Sequence, residues 1–294
     1  MSNKLKERLD KGPVICAEGF LFEIERRGYM ASGEFVPMVS LDHPEVLENL
    51  HREFQHAGSD VVEAFTYNGH REKMRVIGKE ELLEPLNRAA LKIAKKVALD
   101  TPKGSKPNLM AGNISNSNIW KENDKQSQKE VERMFSEMIG WAVDEGADVV
   151  GLNCFRGPAT MFPFLKEIRK AVKCHVGALP IPYRTNDQHP TFFNLPDRDD
   201  CSCPSPHGRT FPTALDPHFC NRYEIGKFAK DAHELGINYL GVCCGANPML
   251  IREVAESIGL KVPASKYREN MENHFMYGKN KRIPKHMTEY GDKA

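Results

Sequence analysis

Short apolar runs alternate with segments of helical periodicity along most of the chain. The apolar runs predict six β-strands, at residues 14–17, 60–66, 108–112, 148–153, 175–178 and 239–243. Apolar residues at helical spacing predict helices at residues 45–57, 79–99, 128–145, 160–172, 223–235 and 248–258. Strands that alternate with helices are typical of parallel βαβ units. The pattern therefore predicts an α/β fold.

Three of the predicted helices end at a glycine that lies shortly before a predicted strand: Gly58, Gly146 and Gly236. Glycine is favoured in the left-handed conformation that ends a helix. The repeated unit leaves two architectures open, a (β/α) barrel and a doubly wound sheet. The first strand is followed by Glu18 and Gly19, without the glycine spacing of a phosphate-binding loop. This difference argues against dinucleotide binding.

The composition is that of a folded protein with no charge bias. The 294 residues are 40% hydrophobic, which suits one large domain or two small ones. The formal net charge of +1 gives no electrostatic indication of a nucleic-acid partner. No apolar run approaches the roughly 20 residues of a membrane helix, and residues 1–11 lack the apolar stretch of a signal peptide. We expect a cytoplasmic protein without a membrane partner, in which the eight cysteines stay reduced.

Two segments depart from the alternating pattern. Residues 180–220 are rich in Pro, Asp, Thr and aromatic residues, and they are much longer than an ordinary connection between a strand and a helix. Residues 261–294 combine basic residues with scattered aromatic ones. We predict a main domain at residues 1–260 and a C-terminal arm at residues 261–294, which packs on that domain or on a partner subunit.

Three cysteines occupy matching positions at the ends of predicted strands. Cys154 ends one strand, and Cys243 and Cys244 end another. Functional sites in parallel α/β folds form at the C-terminal ends of strands, so these thiols can converge. Three thiolates around one Zn²⁺, with the fourth position open, are typical of a catalytic zinc site. Adjacent cysteines can share an ion only if the chain turns between them, and Gly245 permits such a turn.

Other interpretations of the cysteines stay open at this point. Cys243 and Cys244 can be small buried hydrophobic residues, or a vicinal redox pair. Cys201, Cys203, His207 and Cys220 are a weaker candidate set for a second zinc, whereas Cys16 and Cys174 are expected in the core. The histidines on helices and loops, His51 among them, are expected in solvent.

The cysteine motifs resemble those of a known family. Gly151-Leu152-Asn153-Cys154 and Gly241-Val242-Cys243-Cys244-Gly245 are similar to the zinc motifs of the homocysteine S-methyltransferase family. The likeness extends to Phe20-Leu21-Phe22, Arg26-Arg27-Gly28-Tyr29, His43-Pro44-Glu45, His51-Arg52-Glu53-Phe54, Ala64-Phe65-Thr66 and Pro263-Ala264-Ser265. The resemblance implies a TIM-type (β/α) barrel that binds Zn²⁺ through Cys154, Cys243 and Cys244.

The resemblance also implies the reaction and the substrates. The partners would be homocysteine and a small methyl donor, either betaine or a sulfonium, and the product would be methionine. Glu18, Phe35, Tyr67 and Asn153 are the substrate-binding residues that we expect. Phe35 occupies the position at which relatives have a tryptophan. Glu18 follows, by one residue, the position at which the family usually has an aspartate. A homo-oligomer is a possible state of the protein.

The chain departs from the family in length. The family barrel has eight βα units, whereas six are found here, and the two that are missing fall between the third helix and the strand at 148–153. We therefore expect a shortened barrel of about six units, in which the strand at 175–178 separates the two cysteine-bearing strands. The missing segment would hold a glutamate for the homocysteine amine and an aromatic residue of the donor site. The alternative is a non-catalytic relative that keeps zinc or subunit binding without turnover.

Overall fold

Six parallel strands form one sheet. The structure, a computed structural model, describes residues 4–69, 71–100, 108–112, 115, 124–127, 129, 149–171, 173–197, 208–279 and 282–293. The strands are β1 (Val14–Ala17), β2 (Val61–Glu63), β3 (Leu109–Ala111), β4 (Val149–Asn153), β5 (His175–Leu179) and β6 (Tyr239–Val242). All six predicted strands are confirmed, and the class is α/β.

The order of the strands distinguishes the two architectures that the sequence left open. The sheet runs β3-β2-β1-β6-β5-β4, with β1 paired to β6 from Val14↔Tyr239 to Ala17↔Val242. In a barrel, successive strands are neighbours and the last strand pairs with the first, so the observed order is that of a barrel drawn open between β3 and β4. A doubly wound sheet of the 3-2-1-4-5-6 type instead pairs β1 with β4. β3 and β4 are the two edges of the sheet in the described part of the chain. β5 lies between β4 and β6, as predicted.

Helices follow the strands at five of the six predicted places, and the predicted helix at 128–145 lies almost entirely outside the described residues. The helices are α1 (Lys4–Leu9), α2 (Leu21–Arg26), α3 (Val39–Asp42), α4 (Pro44–Ala57), α5 (Arg71–Val76), α6 (Leu83–Leu99), α7 (Pro158–Ala171), α8 (Arg222–Glu234), α9 (Pro248–Ser257) and α10 (Lys285–Gly291). No helix in these described ranges is long and apolar enough to span a membrane.

Local sequence explains where the helices begin and end. Helix α4 begins at Pro44 and ends before Gly58, whose φ of 116° is the left-handed conformation predicted for it. Helix α9 begins after Asn247, whose side chain accepts a hydrogen bond of 3.0 Å from the backbone N–H of Leu250. Between these ends, α4 and α9 pack against each other and against the sheet.

Helix α4 also buries a histidine that the sequence analysis expected in solvent. His51 is 2% exposed, and its ring packs edge-on against Phe20 with 5.0 Å between the ring centroids. It lies four residues after Leu47 and three before Phe54, on the apolar face of the helix. The expectation was wrong because the helical spacing, and not the residue type, decides which face points to the core.

The segment at residues 180–220 packs against the sheet. Its described part contains the 3₁₀ turns Phe192–Asn194 and Asp216–His218. Ile181 and Tyr183 are fully buried, and they share a core cluster with Cys16 and Cys243. The segment therefore belongs to the core beside the strand ends. Cys201, Cys203 and His207, the weaker zinc candidates, lie outside the described residues.

The C-terminal segment begins with a 3₁₀ helix, Pro263–Tyr267, that packs on α4. Arg222 of α8 forms an ion pair of 2.9 Å with Glu269. Farther along, Phe275 and Tyr277 are more than half exposed. The boundary at residue 260 and the role of the arm stay predictions.

Candidate metal centre and substrate cavity

The structure brings the three strand-end cysteines together. The Sγ atom of Cys154 lies 3.5 Å from that of Cys244, and the Sγ atoms of Cys243 and Cys244 are 3.8 Å apart. All three sulfur atoms lie within 4.8 Å of one another. Cys154 comes from the end of β4 and the cysteine pair from the end of β6, so the two strands meet here across β5.

Backbone conformation aims the three thiols at one point. Cys154 and Phe155 have φ of 68° and 64°, in the left-handed region that is uncommon for residues other than glycine. Gly245 has φ of 98°, and this turn after the cysteine pair is the one that the sequence analysis expected. The backbone N–H of Cys243 donates to Pro180 O at 2.8 Å, which fixes the pair to the chain that follows β5. Such strain is common where a site must hold a precise geometry.

The three sulfur atoms fit a zinc ion. Tetrahedral ligation with Zn–S bonds of about 2.3 Å places sulfur atoms about 3.8 Å apart, close to the observed 3.5 and 3.8 Å. Hydrogen bonds from Cys243 and Cys244 hold the pKa of Cys154 well below its ordinary value. The same hydrogen bonding with Cys154 raises the pKa of Cys243 and of Cys244. A cluster with one favoured thiolate and two neighbouring thiols is a donor set for a soft cation.

Glu18 and Asn153 form a pair beside the cysteines. Strand β1 ends at Ala17, so Glu18 is free of strand alternation and turns inward, where it is 8% exposed. Asn153 Nδ2 donates to Glu18 Oε2 at 2.6 Å, and Cys16 Sγ donates to Oε1 at 3.8 Å. Burial raises the pKa of Glu18 to about 7, against the opposing effect of the Asn153 hydrogen bond.

A cavity of about 510 Å³ opens over the cysteines. Burial raises the pKa of Tyr67 at its wall, so the phenol stays protonated at neutral pH. Asn153 does not line the cavity, but it donates a hydrogen bond to Glu18, which does. The predicted residues that line the cavity are Glu18, Phe35, Tyr67, Cys154, Cys243 and Cys244.

Several residues that line the cavity were not anticipated from the sequence. Phe192 and Phe193 stand side by side in a 3₁₀ turn, with ring centroids 4.5 Å apart, and Phe211 contacts Phe193 at 4.6 Å. Phe155, next to Cys154, contacts Phe193 at 5.2 Å. Glu63 of β2 also lines the cavity and is 4% exposed. Only the position of Phe155, directly after a cysteine at a strand end, gave a usable signal.

Comparisons with known proteins agree on one family. The family model for homocysteine S-methyltransferase matches residues 14–150 and 142–258. Betaine–homocysteine S-methyltransferase 1 of Xenopus tropicalis is 28% identical over 320 positions, which cover 86% of this chain and 75% of that protein. S-methylmethionine–homocysteine S-methyltransferase of Mus musculus is 27% identical over 325 positions, covering 88% of this chain and 83% of that protein.

A solved structure shows the same fold at lower sequence similarity. The homocysteine methyltransferase MmuM of Escherichia coli, in its oxidized form, superimposes with a TM-score of 0.60 at 13% identity. The superposition covers 86% of this chain and 99% of that chain.

The alignments also account for the length of the chain. The Xenopus alignment has 320 positions but covers 86% of the 294 residues, about 253, so about 67 positions have no counterpart here. An eight-unit barrel of about 250 residues has about 31 residues in each βα unit. The unmatched positions amount to about two units in total length, and the two matches to the family model overlap at residues 142–150. The chain belongs to the homocysteine S-methyltransferase family.

Proposed function

We propose that this chain transfers a methyl group from an onium donor to the sulfur of homocysteine, forming methionine, at a zinc ion bound by Cys154, Cys243 and Cys244. Methyl transfer to homocysteine is the activity of the family. The single observation that supports the metal is the convergence of three sulfur atoms within 4.8 Å at the wall of a cavity.

When bound, zinc supplies a Lewis acid that keeps the thiol of homocysteine ionised at neutral pH. Cys154, Cys243 and Cys244 would hold the ion, and three cysteine ligands would leave a ligand position for the thiol of homocysteine. The sulfur of homocysteine then forms a bond to the methyl carbon of the donor. The bond from that carbon to the donor nitrogen or sulfur breaks, and its electron pair stays on the leaving atom. The transfer needs no oxidant or reductant.

Glu18 and Asn153 are the residues that we assign to the amine of homocysteine. The Glu18 carboxylate lies in the cavity wall beside the cysteines, and its described partners are Asn153 Nδ2 and Cys16 Sγ. An ammonium group would supply the cation that this buried carboxylate lacks among the described ion pairs. Asn153 orients the carboxylate through its hydrogen bond of 2.6 Å. This pair would replace the glutamate expected in the missing segment.

The aromatic wall is the part of the cavity that we assign to the donor. Tyr67, Phe155, Phe193 and Phe211 line the cavity, and Phe155 is adjacent to the ligand Cys154. Aromatic faces attract onium cations, and their apolar surface excludes water from the reacting centres. Betaine and S-methylmethionine, which appear in the names of the relatives, both carry an onium centre. The segment at residues 180–220 would thus rebuild the donor half of the site.

The test is methionine formation by zinc-loaded protein, with betaine and S-methylmethionine offered separately. We expect activity with at least one donor, its loss after chelation, and its return with Zn²⁺. Cys154→Ser should lose zinc and activity. Cys174→Ser is the matched control, because Cys174 lies before β5 and outside the cavity wall, and it should retain both. Equal activity in the two variants would contradict the proposal.

The second candidate is a relative that binds zinc without turnover. The gap of about 67 positions favours it, because it removes residues that the relatives have. It predicts stoichiometric zinc and homocysteine binding, with no methionine from either donor. Loss of a positioning contact lowers the rate without removing the nucleophile, so we expect turnover to be slower than in full-length relatives. A cytoplasmic location and a homo-oligomeric state stay predictions.

A further inference from the structure

The cavity has an uneven distribution of charge. Glu18 and Glu63 lie at the buried side, where their carboxylates and Cys16 Sγ approach within 4.8 Å of one another. The three zinc-binding thiols add negative charge to the cavity when they are ionised. Lys73 is the single Lys or Arg among the described residues of the wall. A bound molecule therefore meets acidic groups at the buried side, the exposed carboxylate of Glu34 on the wall next to Phe35, and one cation.

Lys73 is held at the wall by an aromatic ring. It lies on α5, with its Nζ atom 5.4 Å from the ring centroid of Phe35. Asn68 fixes the backbone of that ring, because its Nδ2 atom donates to Phe35 O at 2.8 Å. Within the described ranges, no carboxylate forms an ion pair with Lys73 at 4 Å or less. Partial burial lowers the pKa of Lys73, an effect that a bound anion would oppose.

We propose that Lys73 binds the carboxylate of a substrate in this cavity. The inference deepens the proposed function and rests on it. Homocysteine and betaine are zwitterions with one cationic centre and one carboxylate, and S-methylmethionine carries a sulfonium, an ammonium and one carboxylate. Glu18, Glu63 and the cysteine cluster disfavour a carboxylate at the buried side, and Lys73 is the cation of the described wall that can pair with it. The ammonium or onium group is stabilised at the opposite, anionic end.

The same contact changes the role expected for Phe35. A ring whose face is already within 5.4 Å of an ammonium is a poor site for a second cation. Phe35 is then a positioning residue for Lys73. The onium centre of the donor is left with Tyr67 and the phenylalanines of the wall.

The experiment compares Lys73→Met, Lys73→Arg and the control Lys79→Met in zinc-loaded protein. Lys79 is exposed and absent from the wall. KM and kcat are measured for homocysteine, for betaine, and for trimethylsulfonium, a donor without a carboxylate. We expect Lys73→Met to lower kcat/KM at least tenfold through KM. Lys73→Arg should recover most of the loss, and Lys79→Met should change nothing.

The pattern of losses tells the two carboxylates apart. If Lys73 holds the donor, the loss appears with betaine and not with trimethylsulfonium. If Lys73 holds homocysteine, the loss appears with both donors and in the KM for homocysteine. Values within twofold of wild type for every substrate would overturn the inference.

A binding measurement keeps the inference separate from the proposed function. If the wild-type chain forms no methionine, the proposed function fails. Calorimetric titration of the zinc-loaded chain with homocysteine and with betaine then decides the inference. Weakening of either ligand at least tenfold in Lys73→Met supports it, and unchanged binding of both overturns it.

Discussion

Gly19 lies against the backbone of the cysteine pair, and its replacement by alanine tests whether that backbone sets the metal geometry. Gly19 has φ of 74°, and a Cβ atom built on it would lie 2.2 Å from Cys244 N and 2.4 Å from Cys243 C. These neighbours are main-chain atoms, so a side-chain rotation cannot relieve the contact. The substitution must change the position of Gly19 relative to the segment that carries two of the three proposed zinc ligands.

The size of the displacement follows from the distances. Ordinary contact begins near 3.4 Å, so the separation between the new Cβ atom and Cys244 N has to grow by about 1.2 Å. Zinc sites tolerate about 0.2 Å of error in ligand distance, and a misplacement of about 1 Å in a catalytic group costs on the order of 10²-fold in rate. The left-handed φ adds about 1–2 kcal/mol of destabilisation for any residue with a Cβ.

Gly28→Ala is the matched control for Gly19→Ala. Gly28 has φ of 82°, and a Cβ there meets nothing within 4 Å. The control therefore carries the conformational cost without the collision. The assays are urea unfolding, zinc content and the rate of methionine formation. Gly28→Ala should lose about 1–2 kcal/mol of unfolding free energy, and Gly19→Ala should lose more because of the added collision. Only Gly19→Ala should lose zinc and fall about 10²-fold in activity. Full zinc content in Gly19→Ala, with a rate within twofold of Gly28→Ala, would refute the reasoning.

Three further substitutions test other parts of the account. Burial lowers the pKa of His51 to about 3 from an ordinary 6.5, so the stability that neutral His51 contributes is complete above pH 6.5 and is lost as the pH falls towards 3. Lowering the pH from 7.5 to 5 should reduce the free energy of unfolding by about 2 kcal/mol through this residue. Urea unfolding should show this pH dependence in the wild type and not in His51→Leu. Asn153→Ala removes the donor to Glu18 and should raise the KM for homocysteine about tenfold, a change of about 1.4 kcal/mol, with zinc content unchanged. Phe193→Ala should raise the KM for the donor about fivefold by removing a cation–π contact of about 1 kcal/mol, while an equal rise in the KM for homocysteine would contradict the assignment of this wall to the donor.

The sequence was sufficient for the sheet and for the convergence of the cysteines. Each strand is an apolar run, three of them follow a predicted helix-ending glycine, and parallel strands place their C-terminal ends at one edge. Cys154 and Cys243 end their strands, so their proximity follows from topology alone. The expected place of the missing units, before the strand at 148–153, agrees with β3 and β4 as the edges of the sheet in the described part of the chain.

Tertiary packing decided what the sequence left undetermined. Phe192, Phe193 and Phe211 belong to a segment with no periodicity, and their meeting depends on two 3₁₀ turns and on Tyr183, which packs beneath them. Contacts between residues distant in an irregular segment have no signature in local sequence. His51 is a different case, because its spacing from Leu47 and Phe54 indicated the buried face.

The most direct test of the central claim is the zinc-edge X-ray absorption spectrum of the purified protein with and without homocysteine. Cys154, Cys243 and Cys244 should give three sulfur ligands at about 2.3 Å from one zinc per chain, together with one lighter ligand. Homocysteine should replace that lighter ligand and raise the sulfur count from three to four. A shell dominated by nitrogen or oxygen, or a sulfur count that does not change with saturating homocysteine, would contradict the account.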